Sequence, residues 1–198
     1  MAGVALDDAP LIRVGNYSLT LPGPSAAESL SSYLVRNRSR FAPIMPARPD
    51  AFWTAQACAD RLAAALEDFR RGTGLSLMLL EGAGDSAEVV GDITYSNIVH
   101  GPLQACNIGF KIDARLEGIG LMYSALTAAN AFVFEHFGLH RISANYIPTN
   151  TRSANLLKRA DFVIEGYARD YLMLEGVWKD HILTSLVNKA WTPRPPLR

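Results

Sequence analysis

The stretch from Asn107 to Gly120 constrains the fold more than any other part of the sequence. Residues 107–112 have the apolar pattern of a strand, and Gly118 and Gly120 precede a helical pattern that begins at Leu121. Glycines at such a place let backbone N–H groups approach a ligand, because no Cβ is in the way. The first turn of a helix has unpaired N–H groups and a locally positive end. The stretch therefore predicts an anion site suited to phosphate, with a plain strand–turn–helix connection as the alternative.

Length and composition limit the possible functions. The chain has 198 residues, with 19 basic and 19 acidic side chains. This length predicts a single domain over residues 1–198, with a C-terminal tail from about residue 190. The sequence lacks the basic excess typical of nucleic-acid binders, so direct nucleic-acid binding is not expected. It has neither an apolar run near the ~20 residues of a membrane helix nor a signal-peptide pattern, so we expect a cytoplasmic protein and no membrane partner.

Cysteine and histidine positions favour neither a disulfide framework nor a metal site. Cys58 and Cys106 are too few for such a framework, and Cys106 lies in an apolar strand pattern, where a buried thiol is more typical than a nucleophile. His136 and His140 are four residues apart, but Gly138 is expected to end the helix between them. We therefore expect no metal.

The segment before the glycines predicts helices followed by an antiparallel meander. Its first elements are a strand over 11–21 broken near Gly15, a helix with Ser25 as N-cap to about Asn37, and a helix from Asp50 or Thr54 to Gly72. Three successive strands then cover 75–81, 87–98 and the segment that ends at 112. A basic cluster near the first helix is expected to be a solvated face, with substrate contact as the alternative: Arg36, Arg38 and Arg40.

The segment after the glycines continues with a helix to Gly138. The later predicted elements are a strand over 140–147, a helix over 151–159, strands over 162–165 and 171–174 around a turn at 167–170, a second turn over 175–180, a short helix over 181–188 and a poorly ordered tail over 191–198. The unit over 107–147 requires parallel strands. Together with the meander it predicts a mixed sheet in an α+β or α/β fold. A dinucleotide fold is disfavoured, because the repeated βαβ half is missing.

Two motifs resemble those of the GNAT acetyltransferases. Arg115-Leu-Glu-Gly-Ile-Gly120 resembles the R/Q-x-x-G-x-G/A signature of this superfamily, and Asn150-Thr-Arg-Ser-Ala-Asn-Leu156 resembles the N-x-x-S-x-x-L helix start of its ribosomal-protein branch. The segments HRISANYIPTNTRSANLL and EGYARDYLMLEGVWKDHILTSL and the final WTP look like those of RimJ-type ribosomal-protein alanine N-acetyltransferases. The likeness is close from about Gly91 to Pro193.

The resemblance implies a fold and a co-substrate site. It implies a seven-stranded, mostly antiparallel sheet that splays between its fourth and fifth strands, with acetyl-CoA in the gap. The strand over 107–112 is expected to hold the pantetheine arm, and the N–H groups from Glu117 to Leu121 are expected to bind the pyrophosphate. The residues implied in acetyl-CoA binding are Phe110, Lys111, Ile112, Arg115, Leu116, Glu117, Gly118, Ile119, Gly120, Leu121, Asn150 and Ser153.

The expected catalytic residues depend on two departures from the family pattern. Leu157 stands where many relatives have a tyrosine that protonates the departing thiolate, so the resemblance leaves that role to Ser153, Tyr146 or water. Asn145 and Tyr146 end the fifth strand and are expected to line the amine side. Asp161 replaces a glycine before the sixth strand, and aspartate tolerates the left-handed conformation that this turn requires.

Three acidic residues, Asp92, Glu165 and Asp170, each have two possible roles. Asp92 is either a buried base or, as we favour, a partner within the sheet. Glu165 and Asp170 either contact the incoming amine or are solvated. Trp178 and Lys179 are expected in a packed hairpin corner.

The expected reaction is direct attack of a neutral amine on the thioester carbonyl. A protein α-amine has a pKa of about 8, so its deprotonation near neutrality costs only about 1 kcal/mol, whereas a lysine costs about 4 to 5 kcal/mol. A weak base or a water chain therefore suffices. A backbone N–H near Phe110 is expected to stabilise the oxyanion.

Three functions fit the sequence. The leading hypothesis is N-terminal acetylation of an alanine-starting ribosomal protein, by a monomer or homodimer. The alternatives are acetylation of a small-molecule amine such as an antibiotic or polyamine, and a non-catalytic acetyl-CoA-binding module in ribosome assembly.

Overall fold

A mixed sheet forms the centre of the computed structural model, which describes residues 10–84 and 87–193. The described residues form eight strands in the spatial order β1-β2-β3-β4-β5-β6-β8-β7. Neighbouring strands are antiparallel except for the β5–β6 pair. The strands are β1 (Leu11–Val14), β2 (Tyr17–Thr20), β3 (Leu75–Glu81), β4 (Glu88–Val99), β5 (Ala105–Ile112), β6 (Arg141–Tyr146), β7 (Val163–Leu174) and β8 (Val177–Val187).

Helices cover both faces of this sheet. They are α1 (Ala27–Arg36), α2 (Arg38–Phe41), α3 (Ala55–Arg71), α4 (Leu121–Phe137) and α5 (Thr151–Arg159). Side chains alternate between the two faces of a strand. Accordingly Leu77 packs in a cluster with α4, whereas its neighbour Met78 packs in a second cluster with α1. None of the described helices is long and apolar enough to cross a bilayer.

The first expected strand, 11–21, is a hairpin of two strands. Gly15 has a φ of +59°, and Val14 pairs with Tyr17 across the turn. A non-glycine residue rarely adopts this conformation, so the glycine reverses the chain here instead of only interrupting the strand. This added strand and the unexpected strand β8, less the two expected strands that merge in β7, give eight strands and not the expected seven.

Local capping residues determine both ends of α3, whereas the cap expected for the first helix is absent. Thr54 caps α3 by accepting a hydrogen bond from the Ala57 N–H at 3.3 Å, and Gly72 ends this helix in the left-handed conformation. The prediction that Ser25 caps the first helix is wrong. Ser25 lies inside a 3₁₀ turn over Pro24–Ala26, and α1 begins at Ala27 without a side-chain cap.

The C-terminal elements also differ from the prediction. The two short strands and turn expected over 162–174 are one strand, β7, and the helix expected over 181–188 belongs to strand β8. Asp170 has a φ of +47° within a register shift of β7, so the turn signal there produces a bulge. β8 pairs with β6 on one side and with β7 on the other, and these distant partners determine its conformation.

The start of the expected C-terminal tail is attached to the fold. The Trp191 Nε1–H donates to the Gly138 carbonyl at 2.9 Å, and its ring lies edge-on to His140 at 5.5 Å. Residues 194–198 of the expected tail lie outside the described residues.

The sheet opens between β5 and β6. Their parallel pairing covers Ala105–Ile108 of β5 and Arg141–Ala144 of β6. Beyond it, β5 stays with β4 up to Ile112, and β6 stays with β8 up to Tyr146. The two strands therefore diverge, and the edge of β5 from Gly109 onward faces the gap.

Candidate functional site

The glycine loop ends at an uncapped helix N-terminus. Gly118 and Gly120 have φ angles of +80° and +83°, and Gly120 is the N-cap of α4 without a side-chain hydrogen bond. The first hydrogen bond of this helix runs from Ser124 N–H to the Gly120 carbonyl, at 3.2 Å. Within residues 10–84 and 87–193, the N–H groups of Leu121, Met122 and Tyr123 have no acceptor. This end of α4 therefore presents several donors and the positive end of the helix dipole.

A cleft of about 710 Å³ lies against the loop and the open edge of β5. Most of the residues that the resemblance implied in acetyl-CoA binding line it: Phe110, Lys111, Ile112, Leu116, Glu117, Gly118, Gly120, Leu121, Asn150 and Ser153. Arg115 and Ile119 are not part of this lining, and the Ile119 side chain is 64% exposed.

Cationic side chains surround the phosphate end of the cleft. Arg40 from α2 and Arg152 from α5 each bind one carboxylate oxygen of Glu117 in the loop. Arg159 from α5 stacks on Tyr123, with its guanidinium carbon 4.0 Å from the ring centroid. These three arginines also line the cleft. With one acidic partner among them, they leave the cleft suited to a polyanionic ligand.

Sequence reasoning missed two of these arginines, and for the third, Arg40, it gave substrate contact only as the alternative. The sequence motifs single out neither Arg152 nor Arg159, although both lie in α5, the helix that Asn150 caps and that contains Ser153. The basic cluster expected on a solvated face divides between three places: Arg36 binds Asp113, Arg38 binds Asp50, and Arg40 reaches the cleft.

Arg115 supports the loop from outside the cleft. Its guanidinium lies 3.4 Å from Asp113 and 3.6 Å from Glu88. Burial alone would raise the pKa of Asp113, but hydrogen bonds from the Arg115 N–H and from the Arg36 and Arg115 guanidinium groups lower that pKa to about 2. Asp113 is thus an ionised, buried anchor that fixes the turn between β5 and the glycine loop.

A second cavity, of about 230 Å³, lies at the same gap and is lined by residues of both β5 and β6. Asn145 and Tyr146 line it, as expected for residues at the end of β6. The two cavities share lining residues from the segment after α2, from β5, from the β6–α5 connection and from α5: Ile44, Phe110, Lys111, Ile147, Asn150 and Ser153. A ligand in the large cleft and a ligand in the small cavity would therefore meet beside Phe110 and Ser153.

The residues near Ser153 in the sequence stabilise helix α5 and its two ends. Asn150 caps α5 by accepting the Ser153 N–H at 3.1 Å. Leu157, which stands in the place of the expected tyrosine, is 1% exposed and packs in the main core. Asp161 has a φ of +63° after α5, so the aspartate does adopt the left-handed conformation expected of it.

Asp92 is a partner within the sheet, as we favoured. Its two carboxylate oxygens accept hydrogen bonds from Tyr33 Oη at 3.0 Å and from Lys111 Nζ at 2.8 Å. Burial raises the pKa of Tyr33 well above its usual value, and the adjacent Asp92 raises it further. Asp92 and Lys111 also form a directly opposed cross-strand pair on β4 and β5.

The acidic residues near the last turn do not reach either cavity. Glu165 binds Arg141 and Ser185, and these hydrogen bonds lower the pKa of its carboxyl. Asp170 is exposed. The expectation of a packed corner at Trp178 and Lys179 is wrong, because both side chains are exposed, Trp178 by 57%.

Cys106 is a buried thiol, as expected, and two histidines pack against aromatic rings. Burial raises the pKa of Cys106 to about 12, so this thiol is not an activated nucleophile. His136 stacks between Phe69 and Phe132, whereas His140 lies against Trp191.

His181 is the other polar residue that sequence reasoning missed. It lies on β8, is 3% exposed and lines the second cavity. Its Nδ1 is 2.9 Å from the Lys179 carbonyl oxygen. The sequence placed His181 at the start of a helix, and this error concealed its position opposite β6.

Comparison with known proteins identifies the family. The model of the acetyltransferase (GNAT) domain matches residues 19–163. The [ribosomal protein uS5]-alanine N-acetyltransferase of Escherichia coli (strain K12) is 38% identical over 164 residues, which cover 83% of this chain and 84% of that protein.

Solved structures agree with this result. The ribosomal-protein-S5-alanine acetyltransferase from Vibrio fischeri has a TM-score of 0.87 at 34% identity, covering 93% of this chain and all (100%) of that one. Mycobacterium smegmatis RimJ in complex with CoA-disulfide shares the fold, with a TM-score of 0.80 at 24% identity over 90% of this chain and 86% of that chain. The family match, the curated relative and the open sheet together show that the chain belongs to the GNAT acetyltransferases, as an N-acetyltransferase enzyme.

Proposed function

We propose that the protein transfers the acetyl group of acetyl-CoA to the N-terminal α-amino group of a ribosomal protein that begins with alanine. The observation that carries the proposal is the junction of the two cavities at the β5–β6 gap, beside Phe110 and Ser153. The choice of acceptor rests on the similarity to the uS5-alanine N-acetyltransferases of Escherichia coli and Vibrio fischeri.

The large cleft fits acetyl-CoA chemically. The free N–H groups of α4 and the guanidinium groups of Arg40, Arg152 and Arg159 suit the pyrophosphate and the 3′-phosphate. The open main-chain edge of β5 suits the amides of the pantetheine arm, in the way that one strand pairs with another. When bound, acetyl-CoA supplies a thioester carbonyl as the electrophile.

The small cavity fits a chain end with a small first residue. Its volume of about 230 Å³ accommodates an amine and a methyl side chain, while the rest of a protein acceptor must remain outside. Met45 and Thr94 add an apolar and a small polar wall to this cavity. An α-amine also needs only about 1 kcal/mol for deprotonation near neutrality. The site can therefore act without a strongly basic carboxylate.

This chain's own groups have separate tasks in the reaction. Main-chain N–H groups of β5 near Phe110 stabilise the negative charge that develops on the thioester oxygen. The Ser153 hydroxyl, which lines both cavities, is placed to give a proton to the departing sulfur. The walls of the two cavities hold the amine and the thioester together, which lowers the entropic cost of their encounter.

A peptide panel tests the proposal. The purified protein is incubated with acetyl-CoA and peptides that begin with alanine, serine, methionine or glycine, and CoA release and N-terminal mass gain are followed. We expect transfer to the alanine peptide and none to the same peptide with a blocked N-terminus and an internal lysine. Transfer confined to polyamines or other small amines would overturn the protein acceptor, and CoA binding without any transfer would overturn the catalytic role.

A further inference from the structure

We propose that His181 is the catalytic base that accepts a proton from the incoming α-ammonium group. The proposal rests on the proposed function, because it assigns a task to a residue of the same acceptor cavity. Imidazole is the side chain best suited to take up a proton near neutrality.

The hydrogen bond of His181 fixes the tautomer that a base requires. A carbonyl oxygen only accepts hydrogen bonds, so the 2.9 Å contact with the Lys179 oxygen places the proton on Nδ1 of the neutral ring. The lone pair then lies on Nε2, the nitrogen on the far side of the ring. The Lys179 carbonyl thus orients the ring in the way that the third member of a catalytic triad orients its histidine.

Strand register places His181 on the acceptor side of the sheet. Asn145 on β6 pairs with Leu183 on β8, and His181 precedes Leu183 by two residues, so it shares the face of Asn145. Both residues line the second cavity together with Ser153. The residue is therefore within the same small space as the expected positions of the amine and the thioester.

Competing bases in this cavity are already engaged. Of the described residues that line it, the titratable ones are Asp92, Lys111, Tyr146 and His181. Asp92 and Lys111 neutralise each other, and Tyr33 takes the second oxygen of Asp92. A neutral phenol such as Tyr146 is a poor proton acceptor near neutrality. Among these four residues, His181 is therefore the one available as a base.

Each proton of the α-ammonium group that is lost in the transfer has an acceptor. The α-ammonium group gives one proton to Nε2, and the lone pair of the resulting amine forms the new C–N bond with the thioester carbon. As the C–S bond breaks, the second proton of the nitrogen passes to the sulfur, directly or through the Ser153 hydroxyl, and CoA leaves as the thiol. The imidazolium then returns its proton to water.

Several charged or titratable groups surround the His181 ring. The groups that face the His181 ring or flank it are Asp92 on β4, Lys111 on β5, Tyr146 on β6, Tyr171 on β7 with its ring 5.5 Å away, and Lys179 and Asp180 on β8. All of them remain in the variants below, so a change in the pH profile reports on the imidazole itself.

The first test replaces the imidazole. In His181→Gln, kcat for the alanine peptide at pH 7 is expected to fall by about tenfold, because without a base only about a tenth of an α-amine with a pKa of about 8 is deprotonated there. The KM for the peptide and the Kd of CoA should be unchanged. The pH profiles of kcat/KM should differ between the wild type and the variant. His100→Gln, at an exposed turn, is the matched control and should keep wild-type rates. A His181→Gln rate within about threefold of wild type would overturn the proposal.

The second test does not depend on a variant or on turnover. In the wild-type protein labelled with ¹⁵N-histidine, the ring nitrogen shifts of His181 should report a protonated Nδ1 and an unprotonated Nε2 at neutral pH. A dominant Nε2–H tautomer would overturn the proposal even if His181→Gln fails to fold. Absence of transfer by the wild type would instead contradict the proposed function, so the two failures are distinguishable.

Discussion

The carboxylate of Glu117 in the glycine loop accepts a hydrogen bond from the guanidinium of Arg40, and this contact joins the loop to α2. The second oxygen of Glu117 binds Arg152 from α5. The carboxylate thus occupies, between two arginines, a position that suits a ligand phosphate. A phosphate that enters the cleft therefore competes with a side chain for the same donors.

Glu117→Gln is expected to tighten CoA binding. The substitution removes the competing negative charge while the amide can still contact the arginines. Since partly exposed ion pairs are worth up to about 1 kcal/mol, the Kd of CoA should fall by about fivefold at low ionic strength, and less at high salt. Titration calorimetry at two salt concentrations measures this. Glu88→Gln, which removes a carboxylate beside Arg115 outside the cleft, is the control. A weaker affinity in Glu117→Gln would mean that Glu117 positions the arginines for the ligand.

Gly118→Asp is expected to weaken CoA binding sharply, and Gly118→Ala separates the two causes. An added Cβ at this glycine meets no atom within 4 Å, but the φ of +80° strains any other residue. The alanine variant should therefore lose about 1 kcal/mol of folding stability. Aspartate adds a negative charge beside the phosphates, so the Kd of CoA should rise by about tenfold or more beyond that of the alanine variant. Equal CoA affinities of the two variants in calorimetry would show that no phosphate lies near this loop.

Asp113→Asn is expected to lower the stability of the fold in a pH-dependent way. The folded-state pKa of Asp113 is about 2, below the usual value of 3.8, so the ionised carboxylate stabilises the folded protein. The stabilisation is complete above about pH 4 and is lost as the pH falls through the folded-state pKa. At pH 7 the variant should therefore lose on the order of 2 kcal/mol of unfolding free energy, since each pKa unit is worth about 1.4 kcal/mol.

Denaturant unfolding between pH 7 and about pH 2 measures the effect of Asp113→Asn. The difference from wild type should shrink only below about pH 4. Asp50→Asn is the control, because the Asp50 carboxylate is exposed and binds Arg38 at the surface. A constant difference across the whole pH range would show that the loss comes from packing and not from ionisation.

Local sequence patterns predicted a glycine loop that opens a helix at Leu121 and a later helix over 151–159, and both helices are present. The left-handed conformations of Gly118 and Gly120 and the cap that Asn150 gives to α5 were not predicted, although they too depend only on neighbouring residues. Asp161 adopts its turn conformation for the same reason. Capping and left-handed turns involve residues within one turn of each other, so a sequence contains the information that determines them.

The remaining features depend on long-range pairing, and local patterns could not predict them. The segment His181–Val187 fits either a helix or a strand, and its pairing with β6 and β7 determines the outcome. Only that pairing brings His181 into the acceptor cavity. Likewise Arg40 and Glu117 are 77 residues apart in the chain, and the fold alone places them together.

Gly109→Ala is expected to weaken binding of the acceptor peptide without lowering the stability of the fold. Gly109 lies on the open edge of β5 and lines the second cavity, and an added Cβ meets no atom within 4 Å. The methyl group therefore enters the space that we assign to the first residue of the acceptor. We expect KM for the alanine peptide to rise by about tenfold, as for a misfit of one methylene in an apolar pocket. Stability and the Kd of CoA should stay at wild-type values.

Gly91→Ala is the contrasting variant, because its Cβ would come within 3.0 Å of the Lys111 carbonyl oxygen and should destabilise the fold by about 1 to 3 kcal/mol. Steady-state kinetics with the peptide, calorimetry with CoA and thermal unfolding distinguish these outcomes, and an unchanged peptide KM in Gly109→Ala would place the acceptor elsewhere.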